Sequence, residues 1–312
     1  MSLHRRRILP TCRLRPLRAW AAALLVALLA QASLAPQALA RGFMWEARKG
    51  EASVLLLGTI HVGQRNLTEL TATQVGRVRE TEVIALEADV FDAERTMAAF
   101  QRHALLAPGA PGLDRTLPPA LRARLEKLLP RFGLVPEAVW RMKPWVVANN
   151  LVVLEATRLG FSPALSTEAQ LAALARAGGQ PIAEIESVER QLALFDSAPP
   201  SLQLAYLEEA VAGIESGAGE GDIRALVEAW HRSDAKALEA RVTAMQASAN
   251  AGERWIAAHV IEGRHGAMLE AIDRLAASGR PHVVAVGSLH FFGPRGLLDG
   301  LRARGYRITP LP

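Results

Sequence analysis

Cysteine is almost absent from this sequence, which has one such residue in 312, and aromatic side chains make up only 5% of it. Cys12 lies within the first 40 residues, so the rest of the chain can form no disulfide, thiolate metal site or cysteine nucleophile. The sequence also lacks His-Glu-x-x-His, Gly-x-Ser-x-Gly and a Walker loop, the signatures of zincins, serine hydrolases and P-loop nucleotide hydrolases. Any catalysis therefore needs a less common arrangement of side chains.

Acidic residues are absent from residues 1–40, which contain six arginines and then the apolar stretch AAALLVALLAQASLA. Ala38 and Ala40 supply the small-x-small pattern of a secretory cleavage site. We predict a signal peptide over 1–40, cleaved after Ala40, and hence a periplasmic or secreted protein. The apolar stretch is shorter than the about 20 residues that a membrane-spanning helix needs, and an uncleaved anchor is the alternative. No stable membrane span is expected after cleavage.

The charge balance changes when this segment is set aside. Six of the 36 basic residues lie in residues 1–40, which leaves 30 basic against 31 acidic residues and a net charge of −1 with neutral histidine. Nucleic-acid binding requires a basic surface, so we exclude it. A peptide or a small molecule is the expected partner, and the oligomeric state is not indicated.

The apolar patterns place strands near both ends of the chain and helices between them. FMWEARKG and ASVLLLGT predict a hairpin, and VIALEAD is a nearly continuous apolar run typical of a strand covered on both faces. RWIAAHVIEGRHGAMLEAIDRLAASG, residues 254–279, predicts one long helix. We predict a single α/β domain over 41–312. Its central, mostly parallel sheet is built from N- and C-terminal strands, with a large helical middle segment.

Two segments repeat one layout, VLLLGTIH and VVAVGSLH. Each is an apolar strand followed by Gly, a small hydroxyl residue, an aliphatic residue and His, which pairs Gly58 with His61 and Gly287 with His290. Ligand sites in α/β sheets lie at the carboxyl ends of the strands, where both histidines project if their strands are parallel and adjacent. The glycines allow a turn and a close backbone approach. A structural role is the simpler interpretation for one histidine alone, and the repetition favours a shared site.

Glu87 ends a third apolar strand and adds a carboxylate to this site. Neutral imidazole and carboxylate are ligands for zinc, manganese, cobalt or iron. Such a divalent transition metal lowers the pKa of a bound water and polarises a carbonyl. The competing interpretation is that Glu87 caps the helix that follows.

Several motifs together resemble the TraB/GumN family (TraB/PrgY/GumN), which includes the Tiki metalloproteases. The motifs are FMWEA, LLGTIHVG, VIALEAD, IAEIESVERQL, EGRHGAMLEAI and VAVGSLHFFGPRGLLDGLRARGYRI, and the resemblance spans about 43–312. It implies a fold like that of the erythromycin-esterase, Tiki and haem-binding relatives of the group. It also implies a protease-like activity, which in the family is associated with the Tiki branch.

The resemblance implies the residues of the site as well. The family's catalytic or metal set falls on His61, Glu87 and His290. Its Arg-Asn pair falls on Arg264 and His265, so a titratable ring stands where the family has a neutral amide. That departure either alters activity or replaces one hydrogen bond by another.

Glu186 and Arg264 have ordinary interpretations beside the functional ones. Glu186 lies where a strand passes into a helix, and an acid in a first turn complements the helix dipole. It matches a frequent family position and is kept as a supporting residue. Arg264 fits a surface role on a helix, whereas the resemblance implies an inward guanidinium that binds a carboxylate or an oxyanion.

Three hypotheses follow for function. The first is an exported metal-dependent hydrolase of peptide or amide bonds, in which His61 and His290 hold the metal with Glu87, or Glu87 is the general base on bound water. The second is a periplasmic binding protein without enzymatic activity, for a metal, haem or a small ligand. The third is a protein-interaction role in which the histidines are structural.

Overall fold

A computed structural model describes residues 41–312 of the chain. The predicted signal peptide and its cleavage site lie outside the described residues. Six strands form one sheet in the order β4-β3-β5-β2-β1-β6. Their bounds are β1 Phe43–Lys49, β2 Ala52–Thr59, β3 Val83–Leu86, β4 Ile182–Glu184, β5 His282–Gly287 and β6 Arg307–Leu311.

Four parallel strands form one side of the sheet. β5 lies between β2 and β3 and is parallel to both, and β4 extends the parallel set beyond β3. β1 pairs antiparallel with β2 as the predicted hairpin, and β6 pairs antiparallel with β1. The structure therefore confirms a mostly parallel sheet made from both ends of the chain.

Helices cover both faces of the sheet. β3 and β5 are buried along their whole length, which explains why their sequences are continuously apolar rather than alternating. The helices and short 3₁₀ helices of the described residues have the following bounds: α1 Ala72–Arg79, α2 Ala93–His103, α3 Leu113–Thr116, α4 Pro119–Leu128, α5 Pro144–Arg158, α6 Thr167–Gly178, α7 Val188–Asp196, α8 Pro200–Ser216, α9 Ala218–His231, α10 Ala235–Ala247, α11 Ala251–Trp255, α12 His265–Ala277 and α13 Leu297–Ala303, with 3₁₀ turns at Leu129–Phe132, Pro136–Ala138, Pro163–Leu165, Glu262–Arg264 and Ser288–Phe291.

The sheet separates two apolar cores. On one face Leu56 and Val286 pack in a cluster with Trp230 of α9 and Met268 of α12. On the other face a smaller cluster joins β2, β3 and β5 to α1 and α6. The helical middle segment has a third core of its own, made chiefly by leucines of α3, α4, α5 and α8.

The long helix predicted over 254–279 is wrong in its first half. The chain forms the short helix α11, then a π-helical turn over Ile256–Ile261 and a 3₁₀ turn over Glu262–Arg264, and only then α12. The side chain of Arg264 donates from Nε to the carbonyl of Val260 at 2.5 Å. Inserted side-chain contacts of this kind interrupt a regular helical ladder, and π turns are frequent at functional sites.

Within residues 41–312, no helix is both long enough and apolar enough to cross a bilayer.

Candidate functional site

Three predicted site residues meet at the carboxyl ends of three neighbouring strands. His61 follows β2, Glu87 follows β3 and His290 lies in the 3₁₀ turn after β5. Because β5 runs parallel between the other two strands, all three ends lie at one edge of the sheet, as the paired motifs predict. A Cβ placed on Gly287 would lie 3.1 Å from Glu87 Oε1, 3.5 Å from His61 Nε2 and 3.6 Å from His290 Cδ2.

The two motif glycines permit close approach and do not make a left-handed turn. Gly287 donates its N–H to Glu87 Oε1 at 2.6 Å, and any side chain there would crowd the site. A Cβ on Gly58 would lie 2.8 Å from Ser288 Oγ. That hydroxyl donates to the Thr59 carbonyl at 2.9 Å, so the small hydroxyl residue of the second motif ties the two strand ends together.

Glu87 is an ionised carboxylate surrounded by donors. Besides the Gly287 amide, it accepts from Gln191 Nε2 at 3.2 Å and lies 3.0 Å from Nη2 of Arg264. Burial raises the pKa of Glu87, but the charges of Arg264 and His61 and the hydrogen bond from the Gly287 amide outweigh burial and lower this pKa to about 2. His290 adds no charge at neutral pH, because its own pKa is lowered to about 3. A carboxylate held in this way is a poor general base at neutral pH.

His61 has a partner that sequence reasoning missed. Its Nδ1 lies 2.7 Å from Oε1 of Glu168, in the first turn of α6, and its side chain is 74% exposed. The Glu168 carboxylate raises the pKa of His61 to about 9. A carboxylate only accepts, so Nδ1 carries a proton and Nε2 faces the site.

Sequence offered no signal for Glu168. It lies 107 residues from His61, and an acid shortly after the N-cap Ser166 is what any helix start favours. Burial opposes ionisation of Glu168, but His61 and local hydrogen bonds lower its pKa. Two contacts join the segment after β2 to the start of α6 and the residues before it. The Ile60 amide donates to Thr167 Oγ1 at 2.8 Å, and Gly63 and Ser162 form two backbone hydrogen bonds with each other.

Arg264 is buried at the centre of the site and is not a surface residue. It is 8% exposed, and its Nη1 donates to Glu186 Oε2 at 2.6 Å. Its Nη2 lies 3.0 Å from Glu87 Oε2 and donates to His290 Nε2 at 2.5 Å. With the bond to Val260, three of its five N–H groups donate hydrogen bonds, and Nη2 also forms the ion pair with Glu87. The fully buried Glu186 therefore anchors Arg264, and its Oε1 has no hydrogen-bond donor among the described residues.

His290 is buried between Arg264 and His265. Its Nδ1 lies 3.1 Å from His265 Nε2, and His265 Nδ1 lies 2.7 Å from the carbonyl oxygen of Arg295. Burial lowers the pKa of His290 to about 3, opposed by Glu87 and reinforced by Arg264. Burial also lowers the pKa of His265.

The site forms one wall of a cleft of about 500 Å³. His61, Glu87, Glu168 and Arg264 supply its charged part. The rest is largely apolar, with Val90, Phe91, Pro163, Leu194, Phe195 and Val260 among its lining residues. A cleft with apolar walls and a few convergent polar groups is the usual form of a small-molecule or substrate site.

The donor types suit a divalent transition metal, but their arrangement does not. No group of three or more His, Asp or Glu side chains within 41–312 is positioned to hold a metal ion. Arg264 already occupies the lone pair of His290 Nε2 and one oxygen of Glu87. His61 Nε2 and Glu87 Oε1 remain at the cleft, and His290 can join them only if Arg264 moves away.

Comparison with known proteins identifies the family of the chain. The model of the TraB/PrgY/gumN family matches residues 43–310. An uncharacterized protein of Treponema pallidum (strain Nichols) is 26% identical over 271 residues, which cover 83% of this chain and 80% of that protein. The uncharacterized protein YbaP of Escherichia coli (strain K12) is 22% identical over 144 residues, or 46% of this chain and 52% of YbaP, and YbaP of Shigella flexneri matches equally. No solved structure matches the chain. The family match covers most of the chain and all the site residues described above, and the chain belongs to the TraB/PrgY/gumN family.

Proposed function

We propose that this chain is an exported hydrolase that cleaves peptide or amide bonds in the cleft, with His61 as the group that carries the proton. One observation carries the proposal. His61 turns Nε2 toward Glu87 across Gly287, while Glu168 holds the other ring nitrogen. An imidazole oriented by a carboxylate and open to a cleft is a general acid–base arrangement.

Water is the nucleophile in this proposal. The described part of the chain has no cysteine, and Ser166, a hydroxyl residue of the cleft lining, caps α6 by accepting from the Ala169 amide. Ser288 donates to Thr59. Attack by water assisted by His61 Nε2 needs neither hydroxyl, and the proton then passes from His61 to the leaving amine.

The other residues act on the charges of this reaction. Glu87 stays ionised and stabilises the imidazolium that His61 becomes after it takes a proton. Arg264 keeps Glu87 charged and holds His290, which is a different role from stabilising an oxyanion, because three of its N–H groups already donate hydrogen bonds and Nη2 is paired with Glu87.

A direct assay tests the proposal. Residues 41–312, purified without a tag, are tested against a mixed peptide library and acyl amides, with and without chelator and with added manganese, cobalt or zinc. We expect cleavage that falls at least 100-fold in His61→Gln. The matched control is His103→Gln, because His103 pairs with Glu189 at 2.7 Å outside the cleft. Equal activity of the His61 and His103 variants contradicts the proposal.

A divalent metal remains a separate prediction, tested by elemental analysis of the same preparation beside His61→Ala and His290→Ala. About one equivalent of metal that is lost in both variants would indicate that Arg264 moves away from His290 Nε2 when the metal binds. If no metal binds after reconstitution, the metal-dependent form of the hydrolase proposal is refuted. The form in which His61 assists the attack of water without a metal is unaffected.

Ligand binding without turnover is the second candidate. The apolar lining around Phe91 and Phe195 favours it, because such walls hold an apolar ligand even where no bond is cleaved. Stoichiometric binding that is lost on Phe195→Ala, with no cleavage of any substrate tested, is the result that would replace the hydrolase proposal.

A further inference from the structure

Three buried hydrogen bonds run in a row behind the site. Arg264 Nη2 contacts His290 Nε2 at 2.5 Å, His290 Nδ1 contacts His265 Nε2 at 3.1 Å, and His265 Nδ1 contacts the Arg295 carbonyl at 2.7 Å. Both imidazoles are buried, so water does not compete for their nitrogens. Each nitrogen of the two rings has one hydrogen-bond partner, and Glu87 Oε1, at 3.8 Å from His290 Nε2, is beyond hydrogen-bond distance.

The two ends of the row fix where the ring protons lie. A guanidinium can only donate and a carbonyl can only accept. His265 Nδ1 must therefore carry a proton for the Arg295 carbonyl, and His290 Nε2 must present a lone pair to Arg264. The middle contact is then a hydrogen bond only if His290 Nδ1 donates to an unprotonated His265 Nε2.

Every other assignment breaks a contact. A proton added to His290 places an N–H of that ring against an N–H of Arg264. A proton added to His265 makes its Nε2 a donor, which forces the remaining proton of His290 onto Nε2 and against Arg264. Two neutral rings with protons on their Nδ1 atoms are the one combination that satisfies all three contacts.

We propose that His265 is a positioning residue that fixes His290 as the neutral Nδ1–H tautomer, with its Nε2 lone pair directed at the site. The inference rests on the proposed function only for its catalytic consequence. His290 takes up no proton while Arg264 occupies Nε2, so proton transfer belongs to His61 alone. The same lone pair is what His290 would offer to any electrophile that displaced Arg264.

Nitrogen-15 NMR of histidine-labelled residues 41–312 at pH 7 tests the tautomer without a substrate. Long-range proton–nitrogen correlations report which ring nitrogen carries hydrogen, and His290→Gln identifies the signals of His290. We expect a protonated Nδ1 and an unprotonated Nε2, the reverse of the tautomer that free imidazole side chains prefer in water. If the wild-type protein carries a proton on Nε2 of His290, or on both nitrogens of that ring, the proposal is overturned, and no variant is needed to show it.

Two substitutions test the part played by His265. His265→Leu removes the acceptor, so each tautomer of His290 then breaks one contact: a proton on Nδ1 has no partner, and a proton on Nε2 faces Arg264. We therefore expect a mixture of tautomers. Because Arg264 also keeps Glu87 charged, we expect kcat to fall about 10- to 100-fold, as for other groups that orient a site imidazole, with KM little changed. His265→Gln keeps an acceptor oxygen and a donor nitrogen, so it should retain most of the kcat that the Leu variant loses. An unchanged His290 tautomer in a folded Leu variant contradicts the proposal. Because NMR needs no turnover, a fixed tautomer in an inactive protein would refute only the hydrolase.

Discussion

At the scale of single residues, the pair formed by His61 and Glu168 is the most accessible part of the site. The His61 ring is largely exposed, yet the carboxylate beside it raises its pKa to about 9. At neutral pH the ring is therefore mostly a cation, and the fraction that can accept a proton grows as the pH rises. If His61 is the general base, kcat/KM rises with pH up to about 9.

The first prediction separates the two partners. Glu168→Gln removes the charge that holds the proton on His61, so the pKa of His61 should fall from about 9 toward its ordinary value of 6.5. NMR titration of His61 measures this shift, and the rise of kcat/KM should move to lower pH with it. Glu215→Gln, on a surface carboxylate paired with Arg124, is the control and should leave the titration unchanged.

The second prediction concerns the buried charge of Arg264. Arg264→Met leaves the Glu87 and Glu186 carboxylates without their cation, and loss of one partner of a buried pair costs roughly 3–5 kcal/mol of unfolding free energy. Arg302→Met is the control, because its contact with Asp299 is exposed on both sides and such pairs contribute about 0–1 kcal/mol. Urea unfolding measures both. Similar losses in the two variants would mean that Arg264 does not compensate these carboxylates.

At the scale of secondary-structure elements, the site depends on how the β2 end is fixed to the chain before α6. Gly63 donates to the Ser162 carbonyl and accepts from the Ser162 amide. A Cβ on Gly63 would overlap the carbonyl of Leu165. The loop that carries His61 and the helix that carries Glu168 can approach only because this position lacks a side chain.

The third prediction compares two glycines. Gly63→Ala should destabilise the protein by about 1–3 kcal/mol, because overpacking forces backbone to move, and it should lower the pKa of His61 by separating it from Glu168. Gly76→Ala is the matched control. Gly76 lies within α1 with no atom close to an added Cβ, so alanine there should stabilise by about 0.5–1 kcal/mol. Thermal and urea unfolding distinguish the opposite signs.

Local sequence patterns predicted the strands that are specified by their own apolar residues. Continuous apolar runs identified β2, β3 and β5, and their endings identified His61, Glu87 and His290. The π turn before Arg264 and the pairing of His61 with Glu168 were not predictable in this way. The π turn accompanies the bond from Arg264 Nε to the Val260 carbonyl, which forms where Arg264 is held inward by Glu186, 78 residues away. Glu168 is 107 residues from His61.

At the scale of the whole molecule, the site makes stability depend on pH in both directions. His290 is neutral when folded, with a pKa of about 3, and binds a proton near 6.5 when unfolded. The neutral ring of His290 therefore contributes to the unfolding free energy above about pH 6.5, and this contribution is lost as the pH falls from about 6.5 toward 3. The pair of His61 and Glu168 behaves oppositely, because while Glu168 stays ionised its contribution is full up to pH 6.5 and is lost as the pH rises through about 9.

The fourth prediction is a maximum of the unfolding free energy near pH 6.5, seen by urea unfolding at pH 4, 6.5 and 9. On the acid side the loss attributable to His290 has a slope of up to about 1.4 kcal/mol per pH unit. The slope should flatten in His290→Gln, and the alkaline loss should disappear in Glu168→Gln. A stability profile identical in all three proteins would show that these groups do not control it.

The position of β5 has a consequence for how the protein is made. β2 and β3 are synthesised early, but the strand that joins them, His282–Gly287, emerges some 200 residues later. Until then the two early strands have no neighbour between them, and the long loop that must close makes this pairing slow. Assembly of the central sheet therefore comes after most of the chain has left the ribosome. A chain interrupted before residue 282 lacks the strand that brings His61 and Glu87 to the same edge, so an incomplete copy cannot assemble this site.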